Sequence, residues 1–540
     1  MFQQHVKGFR PEKILTAAAA VLFFSVCQTA PAATVCVNPT GASGCQPTIS
    51  KAVAAAAAGD TIQVAAGTYK ENVVIKAPLA LIGAGSATTT IDATGLPNGV
   101  TVDGSGAAGL GNIVISGFTV QNANFQGILV ENASAVTIWN NQILNNNKSL
   151  NVSGSLPTCP GLPDALKAGE DEDCGEGLHL TGVDHAVVSN NVIQNNSGGI
   201  LISDDLGPIH DIVITGNLVN GNSLDCGITL ASHSGMGVYH NTISGNTSTN
   251  NGKKAPGAGA GVGIFAPGPG SKAYSNVVVN NVLTGNGLPG VTMHNHAAPP
   301  GAPPVNFNDN VIIGNVISSN AADTEDAATP GPAGINIYSV APMSGTIVTQ
   351  NTISQETVDL AVNAPGPLVA TLNNFLDSVG INSSGVGTVN ATQNWWRCPG
   401  GPGTGGCAIA RGTGVTFTPV LTSSFTGTLL PAAPGSGTTP GNAGVTIVVT
   451  LGGVTAANNT FQANTNQLIL DASQSKSSNP GALSYSWSPS PGFPLVGGII
   501  GANTATPTFQ LGLPSTYQFT LTVTDSTGAQ ATTTVTVQYI

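Results

Sequence analysis

Four of the chain's eight histidines, His179, His233, His294 and His296, fall at matched positions in a recurring apolar pattern, together with the carboxylates Glu131, Asp204 and Asp205. The pattern opens on a glycine, at 127, 177, 199, 227, 290 and 334, with 263 read as the match on the intervening copy. The first and third residues after each glycine are apolar, as in Leu178/Leu180, Ile200/Ile202, Ile228/Leu230 and Val291/Met293. Side chains alternate across a strand, so those residues point inward and the second, fourth and sixth point outward. His179 takes the second place; Glu131, Phe265, His294 and Tyr338 the fourth; Asp205, His233 and His296 the sixth, with Asp204 just before Asp205. Stacked in register, Asp205 and His233 would lie about 5 Å apart. A carboxylate beside an imidazole suits general acid–base work or a metal. Catalysis is therefore expected of Asp204, Asp205 and His233, and substrate contact of His179, Glu131, Phe265, His294, His296 and Tyr338. Three imidazoles with a carboxylate could equally hold zinc or another transition ion.

These residues need a scaffold that repeats, and the sequence supplies one. An Asn followed closely by Ile, Val or Leu recurs as Asn140-Asn141-Gln142-Ile143, Asn190-Asn191-Val192-Ile193, Gly216-Asn217-Leu218-Val219, His240-Asn241-Thr242-Ile243, Asn280-Asn281-Val282-Leu283, Gly314-Asn315-Val316-Ile317, Gln350-Asn351-Thr352-Ile353 and Asn373-Asn374-Phe375-Leu376. Each copy holds short alternating strands between Asn and Gly turns, with no helical pattern between them. A period near 24 residues with three short strands per copy describes a parallel β-solenoid. The recurring Asn is then expected to form a structural ladder, its amides satisfying turn backbone.

Residues 34–425 resemble the right-handed parallel β-helix proteins of the pectin-lyase-like superfamily. The likeness rests on the Asn repeats, on the opening Thr48-Ile49-Ser50-Lys51-Ala52-Val53 with Gly67-Thr68-Tyr69 and Leu81-Ile82-Gly83, and on the closing Asn394-Trp395-Trp396-Arg397-Cys398-Pro399. It implies an all-β solenoid capped at its N-terminus by a short amphipathic helix. It does not choose among the hydrolases, lyases, epimerases and non-enzymes that share the fold. Asp204-Asp205 followed by His233 is similar to the paired acids and histidine of polygalacturonase-type hydrolases. Here, however, no Asn-Thr-Asp triplet precedes them, Ser232 and Ser234 flank the histidine where glycines are expected, and no Arg-Ile-Lys follows. The lyases' Arg or Lys base has no counterpart in the strand columns.

Composition narrows the partners. Only 7% of residues are charged, 41% are hydrophobic, 70 are Gly, and the net charge is -12. So few charges exclude coiled coils and helical repeats, and the acidic balance excludes nucleic acid and anionic membrane. Lys7, Arg10 and Lys13, an apolar run from Ile14 to Val26, and Ala30-Pro31-Ala32 are the parts of an export signal, read as residues 1–32. Acylation of Cys27 is the alternative end to this segment. Its removal takes away three bases and Glu12, leaving 11 bases against 25 acids. The apolar run is too short to span a bilayer. A secreted, cell-surface or periplasmic protein is expected, and a monomer. Cys36/Cys45, Cys159/Cys174 and Cys398/Cys407 are close enough to pair in an oxidising compartment, with Cys226 left over.

The solenoid is expected over residues 33–430, a Pro/Gly/Ser/Thr linker over 431–445, and a small β-sandwich over 446–540. The segments Leu470-Asp471-Ala472-Ser473, Tyr485-Ser486-Trp487-Ser488 and Val523-Thr524-Asp525 resemble a polycystic-kidney-disease (PKD) or related immunoglobulin-like module, with Trp487 in its core. One insertion, residues 170–176, packs five carboxylates into seven positions. Glu170, Asp171 and Asp173 are its calcium-ligand candidates, since hard oxygens suit that ion; a solvated acidic loop pinned by Cys159–Cys174 is the competing reading. The functional expectation is an exported protein that binds an extracellular polysaccharide or cell-surface glycan and hydrolyses it through Asp204, Asp205 and His233. A non-catalytic adhesion or glycan-binding role and a periplasmic metal-handling role stand as the alternatives.

Overall fold

The computed structural model describes residues 32–106, 109–151, 158–161, 174–254, 259–295, 301–323, 331–426 and, further on, 445–451, 454–456, 459–463, 467–479, 481–489, 498–500, 504–510, 515–527 and 529–539. From Thr34 to Thr416 the chain winds through three parallel sheets of 14, 12 and 11 strands. One coil shows the plan: Ile200–Ser203, Val213–Thr215 and Leu218–Asn220, one strand in each sheet. The next coil lies in register on it, with Ile200 opposite Ile228, Val213 opposite Thr242 and Leu218 opposite Thr247. Inward residues such as Leu180, Ile202, Leu230, Ile264 and Ile337 are fully buried and stack into one continuous core. Each contributes roughly 1.5–3 kcal/mol by leaving water.

Three asparagine ladders hold the corners. In the longest, each rung's amide donates to the next rung's oxygen, from Asn141 through 191, 217, 246, 281, 315, 351 and 373 to Asn394, at 2.9–3.1 Å. The residue before a rung sits in the left-handed region, Asn at 140 and 190 or Gly at 216, 245 and 314. These are the residue types that tolerate that conformation, which explains the Asn-Asn and Gly-Asn pairs. Two alignments of the sequence reading shift. Asn246, not Asn241, follows Asn217; Asn241 belongs to a separate ladder with Asn276 and Asn310. Asn373, not Asn374, is the rung after Asn351. Corners recur every five residues within a coil, so a search for one Asn per coil can settle on the wrong corner.

The third ladder, Asn146 to Asn320, ends on acids. Glu356 Oε1 accepts from the Asn320 backbone and side chain, both at 3.0 Å, and the Glu356 N–H donates to Asp377 Oδ2 at 2.8 Å. Asp359 is fully buried beside them, accepting from the Asp377 N–H. Burial, with Asp377 adding its charge against the Asn320 hydrogen bonds, pushes the Glu356 carboxyl up from 4.5 to about 7; Asp359 is held well above its ordinary value, again chiefly by burial. Acids raised in the folded state stabilise it below their ordinary value and lose that contribution as pH rises through the folded value. The melting temperature is therefore expected to fall between pH 5 and 8. Glu356→Gln, which keeps the acceptor and cannot ionise, should flatten this slope; an unchanged slope in thermal scans would refute the assignment.

The solenoid ends are closed. Helix α1 (Ile49–Ala55) is N-capped by Thr48 and buries Ile49 and Ala52 against the first coils. Glu71 accepts from the N–H groups of Ile49 and Ser50. At the other end Trp396 is fully buried, its ring 5.0 Å from that of Phe375. Disulfides join Cys36–Cys45, Cys159–Cys174 and Cys398–Cys407, and Cys226 is buried as a free thiol. Residues 445–539 form a separate β-sandwich of two four-stranded sheets and a two-stranded one. Trp487 lies in its core and donates to the Thr504 carbonyl at 3.1 Å. No helix among the described residues is long and apolar enough to cross a membrane.

Candidate functional site

The outward columns lie on the 12-stranded sheet, where glycine opens the strands of the site because there is no room for a side chain. A Cβ at Gly127, Gly177 or Gly227 would run into the ladder amides of Asn146, Asn196 or Asn251. Register corrects one position. Val262 pairs with Ile228, so the strand-opening glycine on that coil is Gly261; Gly263 is an outward position whose missing side chain makes room for the Phe265 ring.

Asp205 and His233 meet: His233 Nδ1 lies 2.9 Å from Asp205 Oδ1. The second Asp205 oxygen accepts from Ser203 Oγ at 2.6 Å, and Ser203 Oγ lies 2.9 Å from His179 Nε2. Because the serine hydrogen goes to Asp205, His179 donates from Nε2. Its fully buried Nδ1 has no partner. A hydrogen-bonded line His233–Asp205–Ser203–His179 thus crosses three coils. Burial alone would raise the Asp205 carboxyl, but the His233 and Ser203 hydrogen bonds and the imidazole charges hold it below its ordinary value. His179 is pushed down to about 4 by burial, the Asp205 carboxylate opposing and His233 adding to the shift, so its ring is neutral. Ser203 was not singled out in the sequence. It closes the strand Ile200–Ser203, two residues before Asp205 in the bend that follows, and takes the outward place of its column.

The outward placement expected of these residues does not leave them open to solvent. The Asp205 and His233 side chains are 1% and 4% exposed, and His179 is wholly buried, so His179 supports the line from beneath and does not face a ligand. Asp204 is corrected too. It is fully buried, and its carboxylate accepts from the N–H groups of His233, Ser234 and Gly237 and from Ser232 Oγ, at 2.7–2.9 Å. It braces the loop that carries His233, and both its oxygens are already taken as acceptors, leaving no lone pair for reacting atoms. Asp204→Ala should cost about 3 kcal/mol, since several buried N–H groups lose their acceptor. Hydrogen exchange should show Ser234 and Gly237 amides losing protection first; retained protection would contradict the bracing role.

The fourth column splits in two. Glu131, half-buried, is raised by burial and by Asp103 on the preceding coil. Asp103 pairs with Lys76 at 2.9 Å, so a base does stand at the head of this column, contrary to the sequence expectation. Two and three coils beyond Ser203, Phe265 and His294 pack ring to ring with centroids 4.5 Å apart, followed by the half-buried Tyr338. His294 Nδ1 is 3.4 Å from Asp323 Oδ2, which also accepts from Asn336 at 3.2 Å. Asp323 comes from an irregular loop with no periodicity to announce it. His296 and the acidic residues Glu170, Asp171 and Asp173 lie outside the described residues. Among the described residues no three His, Cys, Asp or Glu side chains converge as metal ligands. A strip unforeseen in the sequence runs along another edge, where His210 and Tyr239 stack at 4.9 Å and Tyr239 and Tyr274 at 5.0 Å.

Family models match three stretches: a right-handed β-helix region over residues 171–394, a periplasmic copper-binding protein (NosD) over 53–258, and a PKD domain over 456–538. Together with the continuous parallel sheets, these decide the class. The chain is a right-handed parallel β-helix protein with a C-terminal PKD domain. No curated protein matches it. Among solved structures, this β-helix protein is similar to a lidless DFA-IIIase from Arthrobacter chlorophenolicus A6, at 13% identity and TM-score 0.42, covering 72% of this chain and 99% of that one. It is also similar to the Dettilon tailspike protein, at 13% identity and TM-score 0.42, covering 91% and 78%. A nucleoside hydrolase-related protein from Saccharophagus degradans matches at 22% identity and TM-score 0.15 over 17% of this chain; the match spans a quarter of that protein's length.

Proposed function

We propose that the β-helix protein is exported, binds an extracellular polysaccharide along its 12-stranded sheet and hydrolyses it with His233 and Asp205 as the acid–base pair. The observation that carries this reading is the hydrogen-bonded line from His233 through Asp205 and Ser203 to His179. Asp205, held ionised, fixes the His233 ring with hydrogen on Nδ1 and stabilises its imidazolium; Nε2 is then the nitrogen that exchanges a proton with the attacking water. Glycoside hydrolysis needs an acid as well. Glu131, three coils from His233 and roughly 14 Å away along the axis, lies beyond the reach of such a pair and is assigned to substrate contact. Phe265 and Tyr338 offer apolar faces to sugar rings further along. A polysaccharide of low charge fits a face whose columns carry two described bases, Lys76, already paired with Asp103, and Arg411 on the sheet's last strand. The three disulfides fit export to an oxidising compartment.

The near-complete burial of Asp205 and His233 favours a second reading, glycan binding without turnover. The purified protein, offered a panel of neutral polysaccharides, separates the two. Reducing ends released by wild type and lost in His233→Ala support hydrolysis. Retention of a glycan with no released ends supports binding alone, and neither retention nor release removes both readings.

A further inference from the structure

Near the N-terminal end of the same sheet, three coils from His233, two carboxylates stand side by side. Asp103 and Glu131 are opposite each other on the adjacent strands Val100–Asp103 and Ile128–Glu131, whose Val102 and Val130 are fully buried on the inner face. Both acids therefore project outward from one column, about 5 Å apart. Their surroundings differ. Asp103 Oδ1 accepts from the Ser105 hydroxyl and N–H, and Oδ2 from Lys76 Nζ at 2.9 Å. Ser105 and Lys76 hold the Asp103 carboxyl down at about 2, yet Oδ2 keeps a lone pair free. Glu131 is half-buried and raised, by burial first and then by the Asp103 charge. Beyond Asp103 only the strand Val73–Ile75 remains before the sheet ends. On the flank, Phe125, Leu129, Cys159 and Cys174 pack together, so the disulfide-linked insertion rests on Leu129, the outward residue just before Glu131 in that strand's alternation.

A tight turn and an ion pair account for Asp103 alone. They do not call for a second carboxyl, half-buried against it, whose charge the surroundings disfavour. Two neighbouring acids pushed apart in this way are the arrangement that lets one attack while the other donates a proton. We infer that Asp103 and Glu131 form a second catalytic centre, which removes the terminal sugar of a short neutral glycoside with retained configuration. The separation suits this route, in which the two carboxyls lie about 5–5.5 Å apart. Asp103 Oδ2 attacks the anomeric carbon, the glycosidic C–O bond breaks, and Glu131 gives its proton to the leaving oxygen. Water then attacks the anomeric carbon of the glycosyl ester, the Glu131 carboxylate takes the water's proton, and the ester C–O bond breaks to restore Asp103. The sheet's nearby end, one strand past Asp103, supports a single sugar on that side, which favours a chain end over the middle of a polymer. The centre shares with the proposed function only the reading of this sheet as a glycan-binding face; the His233 pair takes no part in it.

The test offers the full chain a panel of para-nitrophenyl monosaccharides, following nitrophenol by absorbance and the first-formed sugar by NMR. Wild type should release nitrophenol and a sugar of retained configuration, and His233→Ala should do the same. In Glu131→Gln a burst of nitrophenol should precede turnover slowed by about 10²-fold, because this leaving group needs no acid while the water still needs its base. Asp103→Ala should be inactive until azide is added, then yield a glycosyl azide of inverted configuration. Asp103→Asn, which keeps an acceptor for Ser105, serves if the alanine variant folds poorly, and should lose turnover as well. No release from any sugar of the panel, an inverted product from wild type, or turnover unchanged in Glu131→Gln or Asp103→Asn overturns the inference. Release lost in His233→Ala but kept in Glu131→Gln also overturns it and leaves the earlier pair standing. Failure of wild type to retain any polysaccharide strikes the proposed function separately.

Discussion

Asn281→Leu is expected to destabilise the solenoid by about 4–6 kcal/mol, well beyond the usual 0.5–3 kcal/mol of a point substitution. Asn281 is fully buried. Its oxygen accepts from the backbone and side chain of Asn246 at 2.9 and 3.0 Å, and its amide donates to the Ile243 carbonyl and to Asn315 at 2.9 and 3.0 Å. Leucine fills the volume but answers none of these four bonds, and water cannot reach the groups it leaves. Each orphaned group costs about 1–3 kcal/mol, and hydrophobic gain recovers part of the sum. Asn140→Gly is the control: Asn140 is exposed and left-handed, and glycine adopts that conformation freely, so the change should stay within about 0.5 kcal/mol. Urea denaturation midpoints measure both. Equal midpoints for wild type and Asn281→Leu would mean that the ladder contributes nothing the surrounding coils do not.

Asp205→Asn is expected to lower hydrolysis by about 10²–10³-fold while leaving glycan retention intact. The carboxylate accepts from His233 Nδ1 on one oxygen and from Ser203 on the other. An asparagine keeps the shape but carries no charge to stabilise the imidazolium. It also offers an amide that, turned toward His233, would place the ring hydrogen on the wrong nitrogen. Ser203→Ala removes only one neutral donor to Asp205, so a smaller loss, roughly tenfold, should follow. Reducing-end release at matched substrate concentration compares the three proteins. Unchanged release by Asp205→Asn would exclude the pair from catalysis, and Ser203→Ala as damaging as Asp205→Asn would point to a structural role for the whole line.

The face that carries these residues was legible because strand periodicity is local. Once Leu178/Leu180, Ile200/Ile202 and Ile228/Leu230 are assigned inward, Ser203 and Ala231 close one outward column on adjacent coils, with Asp205 and His233 each two residues beyond, and adjacent coils are one strand spacing apart. Ser203 was within reach of the same logic. Asp204 was not, because it sits where the strand gives way to a loop, and alternation stops there. Whether a carboxylate aims outward or back at the Ser234 and Gly237 amides then depends on a loop path that no residue pattern encodes. The depth of the site was also hidden. An outward strand position is solvent-facing only if nothing lies over it, and insertions between strands decide that.

By itself, the sequence determined the class of fold, the right-handed solenoid, the Asn ladders and the Trp-centred β-sandwich, because each rests on short-range repetition that stacking copies make cooperative. Tertiary structure alone decided which corner each Asn serves, that Asp204 is a brace, and that His179 is a buried neutral support. The physical reason is shared by all three. Coil lengths vary through insertions, so which side chains become neighbours across coils is set by backbone register in three dimensions, while a linear pattern fixes only which face each one takes.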